Sequence, residues 1–197
     1  NLFCLEMRNR MTTRDIQREE TKKRIYDVAF KLFDEFGYDK VKVSDIAKAA
    51  NVSVGSVYYH YKNKEAIIDY GYYEFDQMLK EAYEKQTFNS EREAILFLID
   101  FQIKDVFLDI GLKMTTICFK NQINAENTYL HSDERYLYQK LLENLNNIQH
   151  MNKEHAAKMM LRISRGSIYD WCCHNGSYDL IEAVHEEISI VLDYIGL

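Results

Sequence analysis

The 197-residue chain contains no proline and only seven glycines. With so few breakers and 47% hydrophobic residues, it leaves little material for loose connections and is expected to be all-α. Its length suits one large domain or two small ones, with ample core. The four cysteines, Cys4, Cys118, Cys172 and Cys173, have no paired spacing, which argues against a zinc site or a disulfide framework and makes a reducing cytoplasm the expected location. No apolar run approaches the ~18 to 20 residues of a membrane span. The opening NLFCLEMRNR is too short in its apolar part for a signal peptide and sets Glu6 beside it. Residues 1–10 are expected to be an appended segment or an upstream start, since Met11 would begin a more ordinary protein. Neither GxSxG, P-loop, GxGxxG nor HExxH occurs, so an enzyme, a cofactor and a metal are all without support.

The most informative stretch is residues 44–65, SDIAKAANVSVGSVYYHYKNKE. Ile46, Ala47 and Ala50 give a short helix with one small apolar face. Asn51 tolerates the left-handed backbone in which helices often end, and Ser53 can cap a second short helix beginning near Val54. Val52 alone separates the two and wedges them apart, the spacing of a helix-turn-helix. The second helix would offer Gly55, Ser56, Tyr58, Tyr59 and His60 outward, with Val57 and Tyr61 pointing inward. Such a face lets backbone approach a phosphate and hydroxyls donate to it.

Charge supports this reading once it is divided. The total is −6, but residues 1–65 carry 13 Lys+Arg against 10 Asp+Glu, net +3, while residues 66–197 carry 12 against 21, net −9. Positive charge lies where phosphate would be, and the acidic remainder argues against a nonspecific polyanion binder.

On these residues the chain resembles the TetR family of transcriptional regulators: an IA pair, a turn, VS, a small residue, an aromatic cluster and K-x-K-E follow in that family's order, over roughly residues 21–70. Three positions depart from it. Asn51 stands where glycine is frequent, Val54 where Lys or Arg is frequent, and Lys42 near a usual threonine. The resemblance implies double-stranded DNA as partner, contacted from Ser44, Ser53, Val54, Gly55, Ser56, Tyr58, Tyr59 and His60, with Lys64 meeting a phosphate.

Along the rest of the chain, Arg14, Arg18, Lys22, Lys23 and Arg24 form either a solvated helix start or a basic arm with phosphate or minor-groove contacts. Ile25, Val28, Ala29, Leu32, Phe33 and Phe36 make the buried face of a first helix that Gly37 stops, and Tyr38 is read as a packing residue. Asn63 caps a long helix from Lys64 to about Lys85 that joins the two parts. Residues 94–112 are apolar nearly all round, with a break expected at Gly111 and a further helix from about Leu112 to Ala125. Ser132 is expected to cap a helix carrying Leu137, Leu141, Leu145 and Ile148. Asn152 caps one from Lys153 to His174, ended by Asn175-Gly176, and Ser177 begins the last. Cys172 and Cys173 are read as buried small residues, and His131, His150, His155 and His185 as surface or satisfied ones.

The expected organisation is therefore an extension or arm over 1–20, a helix-turn-helix domain over 21–66 and a helical ligand-binding and dimerisation domain over 67–197. The resemblance implies an inducer pocket, for which composition offers Phe97, Phe101, Phe107, Met114, Cys118, Phe119, Tyr136, Met160 and Trp171, suited to a hydrophobic or aromatic molecule. Ordinary core packing is the competing account of each. Asp100, Asp105 and Asp109 could meet a cation or form a solvated face. The resemblance also implies a homodimer built on the last two helices, with Ile163, Ser167, Ile188, Val191, Leu192 and Ile195 as interface residues. The reading is a repressor released by its ligand, against a regulator of the same build answering to a protein partner or to nothing, and a helical enzyme.

Overall fold

The computed structural model describes residues 12–124 and 129–197, without the side chains of Asp105, Val106, Ile123 and Asn124. The expectations for residues 1–11, Cys4 included, and for the Asp105 side chain lie outside the described residues. The described elements are all helical, and the chain divides into two compact units, one ending at Ile68 and the other spanning Asp69–Leu197.

In the first unit, α1 (Thr13–Phe36) opens on a capping box: Asp15 N–H donates to Thr12 Oγ1 (3.2 Å) and Thr12 N–H to Asp15 Oδ2 (3.0 Å). Its basic residues from Arg14 to Arg24 are therefore helical rather than part of an irregular arm. Ile25, Ala29 and Phe33 are fully buried, whereas Phe36, expected in the same stripe, is 52% exposed because the helix ends there. Gly37, at φ 89°, closes α1 by donating to Phe33 O. In α2 (Val43–Ala49) the Asp45 carboxylate accepts Lys42 N–H at 2.8 Å, but Lys42 has no acceptor to return, so this cap is half formed. Ile46, Ala47 and Ala50 are buried, and Asn51 takes φ 53°. In α3 (Val54–His60), Ser53 Oγ accepts Ser56 N–H at 3.0 Å. Val57 and Tyr61 are buried, and the Tyr61 hydroxyl donates to Lys22 O (2.9 Å).

One uninterrupted helix, α4 (Lys64–Tyr83), runs from the first unit into the second. Asn63 Oδ1 accepts Ala66 N–H at its start. The second unit continues with α5 (Glu91–Gln102), a π-helical turn (Ile103–Leu108), α6 (Gly111–Asn124), a 3-10 turn (Tyr129–His131), α7 (Tyr136–Asn144), α8 (Lys153–Cys173) and α9 (Leu180–Ile195). Its core joins Leu79, Ile95, Leu98, Ile99, Leu137, Leu141, Met160, Ile168, Val184 and Ile188. The π turn is absent from the sequence reading, although the break at Gly111, φ 74°, was expected. Thr115 Oγ1 lies 2.9 Å from both Phe107 O and Gly111 O, so its single proton is shared between the π turn and the first turn of α6.

Two helix starts differ from expectation, each because a carboxylate outcompetes a serine. At α7, Ser132 only turns back to accept Glu134 N–H. The first helical N–H, from Tyr136, donates to Asp76 Oδ2 (2.9 Å) across from α4. The same buried Asp76 accepts from Arg135 Nε (3.2 Å), Arg135 Nη2 (2.7 Å) and the Tyr129 hydroxyl (3.0 Å). At α9 the cap is Asp179, which takes Ile181 and Glu182 N–H at 2.9 and 3.1 Å, not Ser177. Cys173 is exposed and Cys172 half-buried, correcting their expected burial. Among the described residues no helix is long and apolar enough to cross a membrane, and no group of three His, Cys, Asp or Glu is placed to hold a metal.

Candidate nucleic-acid interface

The serine cap and the burial of Val57 and Tyr61 fix which side of α3 faces out. Tyr59 is 71% exposed, Tyr58 54% and Val54 42%, while Ser44, Ser53 and Gly55 are open and Ser56 is half-buried. Around Gly55 an added Cβ would meet only Ser53 Oγ at 3.7 Å, so the backbone here is approachable. The His60 ring lies edge-on to Tyr59, with centroids 5.1 Å apart. Burial holds the His60 imidazole below its ordinary pKa; Glu19 opposes this and Lys22 and Arg18 add to it. At neutral pH His60 is thus uncharged, offering one donor and one acceptor. The outward face of α3 is aromatic and carries no cation.

The exposed cations lie on the flanking elements instead. Lys42 and Lys48 are exposed at the two ends of α2, and Lys62 is exposed between α3 and α4. Helix position is the signal for the first pair, which sequence reading passed over because neither lies on the recognition helix. Lys64, expected to meet a phosphate, has its ammonium on Tyr38 O (2.8 Å) and Val41 O (3.0 Å) and 4.2 Å from the Tyr38 ring centroid. Two of its three N–H groups are spent on the α1–α2 connection, leaving one. Tyr38 packs edge-on to Phe33 at 4.9 Å and donates to Glu65 Oε1 at 3.0 Å. Lys64 and Glu65 together therefore hold the connection against α4.

Residues 25–70 match the model of the bacterial regulatory proteins of the tetR family. This stretch is a tetR-type regulatory segment. Its DNA-binding domain is 50% identical over 46 residues to IcaR of Staphylococcus epidermidis, a negative transcriptional regulator of the biofilm operon icaADBC, covering 23% of this chain and 25% of that one. The match thus spans about a quarter of that relative's length. A longer similarity, 28% over 128 residues and 64% of the other protein, is to the HTH-type transcriptional regulator SAB2452 of Staphylococcus aureus. In fold, the chain is similar to Thermus thermophilus FadR, a TetR-family transcriptional repressor solved with lauroyl-CoA: TM-score 0.65, 19% identity, 89% of this chain and 95% of that one. The relatives named here are transcriptional regulators rather than enzymes.

In the second unit, seven of the residues offered for an inducer pocket fall in or against one core, Met114 and Cys118 being the exceptions. Phe107, Met114, Cys118, Met160 and Trp171 are buried, and Phe97, Phe101, Phe119 and Tyr136 are partly so. Phe97 meets Phe101 at 6.1 Å and Phe107 meets Phe119 at 5.8 Å between centroids. Burial pushes the Cys118 thiol up to about 12, which makes it inert. The Tyr136 hydroxyl is buried without a hydrogen-bond partner. Asp100 pairs with His185 and is thereby explained without a cation.

The residues offered for the dimer divide. Ile188, Leu192 and Ile195 are fully buried and Val191 nearly so within the single chain, so they belong to its own core and are unavailable to a partner. The stripe on α9 was wide because it packs on several neighbours. Ser167 is buried, its hydroxyl donating to Ile163 O and lying 2.7 Å from Glu187 Oε2, and Ile163 is half-buried. The large apolar side chains left open on these helices are instead Tyr169 (52% exposed), Ile190 (66%) and Tyr194 (57%), and a separate cleft of about 430 Å³ is lined by Ile163, Gly166, Ser167, Ala183 and Glu187 among others.

Proposed function

We propose that this chain is a homodimeric transcriptional repressor that leaves a palindromic DNA operator when a small hydrophobic molecule binds its second unit. The observation that carries the DNA part is the outward pair Tyr58 and Tyr59 on a short serine-capped helix inside a tetR-type segment, with exposed lysines on the elements before and after it. Ser56, Tyr58, Tyr59 and the backbone at Gly55 read bases and phosphates, and Lys42, Lys48, Lys62 and the remaining N–H of Lys64 hold the backbone. One such helix makes few base contacts, and a two-fold pair doubles them on half-sites spaced by whole turns. Large apolar side chains left open on α8 and α9, Tyr169, Ile190 and Tyr194, supply the self-association surface.

The effector part is supported by the Phe, Met and Trp lining of the core, by the unpartnered Tyr136 hydroxyl that could hold a polar atom, and by the fold likeness to a FadR carrying lauroyl-CoA. Release needs the ligand to prefer the form that does not fit DNA. A gel-shift with the gene's own upstream DNA, titrated with salt and then with hydrophobic compounds that raise the melting temperature, tests both parts. Binding without sequence preference at moderate salt would remove the repressor reading.

A further inference from the structure

The second unit is strongly acidic as a whole, yet it gathers cations in one place. The 3-10 turn Tyr129–His131, the start of α7 and the middle of α8 enclose a cavity of about 220 Å³, lined on its polar side by His131, Arg135, Lys158, Arg162 and Arg165. Its apolar wall is Leu130, Leu137, Tyr138 and Leu161.

The charge in this cavity is not balanced. Arg135 is neutralised by Asp76, on which it spends Nε and Nη2. Lys158 lies 3.8 Å from Asp133, the carboxylate in the lining, and both groups are more than half exposed, so the pair is loose. Arg165 donates through Nε to Leu161 O (2.9 Å), and its Nη1 lies 3.2 Å from His131 Nδ1; neither partner is an anion. Arg162 has no carboxylate among the described residues. Counting Lys158, Arg162 and Arg165 against Asp133 leaves two positive charges facing one small, half-apolar space. Burial and the neighbouring guanidinium groups of Arg135 and Arg162 hold Arg165 below its ordinary pKa, so the arginines repel one another and an anion would relieve the strain.

We propose that this cavity binds the phosphate group of a phosphorylated small molecule. A phosphate monoester carries about −1.5 to −2 charge at neutral pH, which matches the surplus, whereas a monocarboxylate would cancel only half of it. Guanidinium groups bind such oxygens through paired N–H donors. The volume is below the ~300 Å³ at which drug-sized ligands are enclosed, so it takes the head of the molecule, and the Leu130–Leu161 wall receives the first apolar atoms beyond it. The site also reaches α4: Arg135, on its floor, is tied to Asp76 there, so an anion in the cavity meets the same guanidinium that fixes that helix. As an effector subsite it rests on the ligand-responsive reading above; as a binding site it does not.

The test is isothermal titration calorimetry of the full chain at constant ionic strength with inorganic phosphate, phenyl phosphate and benzoate. Phenyl phosphate is expected to saturate, to bind more tightly than inorganic phosphate and to exceed benzoate at least tenfold. Arg165→Gln is expected to weaken it tenfold or more and Lys158→Gln several-fold, while Lys153→Gln, on the same helix outside the cavity, leaves it unchanged. Lys158 is exposed, so its variant keeps the test sound even if Arg165→Gln fails to fold. No saturable heat with phenyl phosphate, equal affinity for benzoate, or wild-type affinity in Lys158→Gln and a folded Arg165→Gln would each overturn the site. An operator gel-shift on the same samples separates the two proposals: failure to bind DNA counts against the regulator reading alone, and normal DNA binding without a phosphate titration counts against the cavity alone.

Discussion

Asp76 ties α4 to the start of α7 and to the 3-10 turn before it. It is fully buried and accepts four hydrogen bonds, two from a guanidinium that is itself 3% exposed. Asp76→Ala strands Arg135 and uncaps α7, and is expected to cost about 3–5 kcal/mol in denaturant unfolding. Ser53→Ala, by contrast, removes a single exposed cap and should cost about 1 kcal/mol, visible in the same measurement. Tyr59→Ala removes only the edge contact with the neighbouring His60 ring. It is expected to weaken operator binding at least tenfold in a gel-shift while sedimentation shows an unchanged oligomer and melting stays within error. At this scale the sequence was most legible where one residue acts on its own neighbours: Asn51, Ser53, Val57 and Asn63 each sit as their local chemistry dictates. Asp76 went unremarked, because nothing near it in the chain reveals that its partners lie some 53 to 60 positions away.

At the scale of elements, periodicity located nearly every helix but not which side of it is spare. The apolar stripe of α9 is real, and packing within the chain uses it up. Only burial separates Ile188 from Ile190. Ile190→Glu and Tyr194→Glu are therefore expected to give a folded monomer in sedimentation velocity, whereas Ile188→Glu should fail to fold. The π turn was equally hidden, since residues 94–112 read as one apolar run and the change of pitch depends on how Thr115 and Gly111 settle their hydrogen bonds. Gly111→Ala meets no atom within 4 Å of the new Cβ, so its expected loss of about 1–2 kcal/mol in unfolding is backbone strain alone.

For the molecule as a whole, the division of charge decides how it meets DNA. Operator affinity is expected to fall log-linearly with salt, with a slope set by the phosphates that the basic unit neutralises rather than by the net charge of −6. The same division has a practical face. The protein's isoelectric point is about 5.6, yet one end of its chain is cationic. At pH 8 it should be retained both by an anion exchanger, through its acidic end, and by heparin, through its basic one. Two chromatographic steps of opposite sign would purify it without a tag.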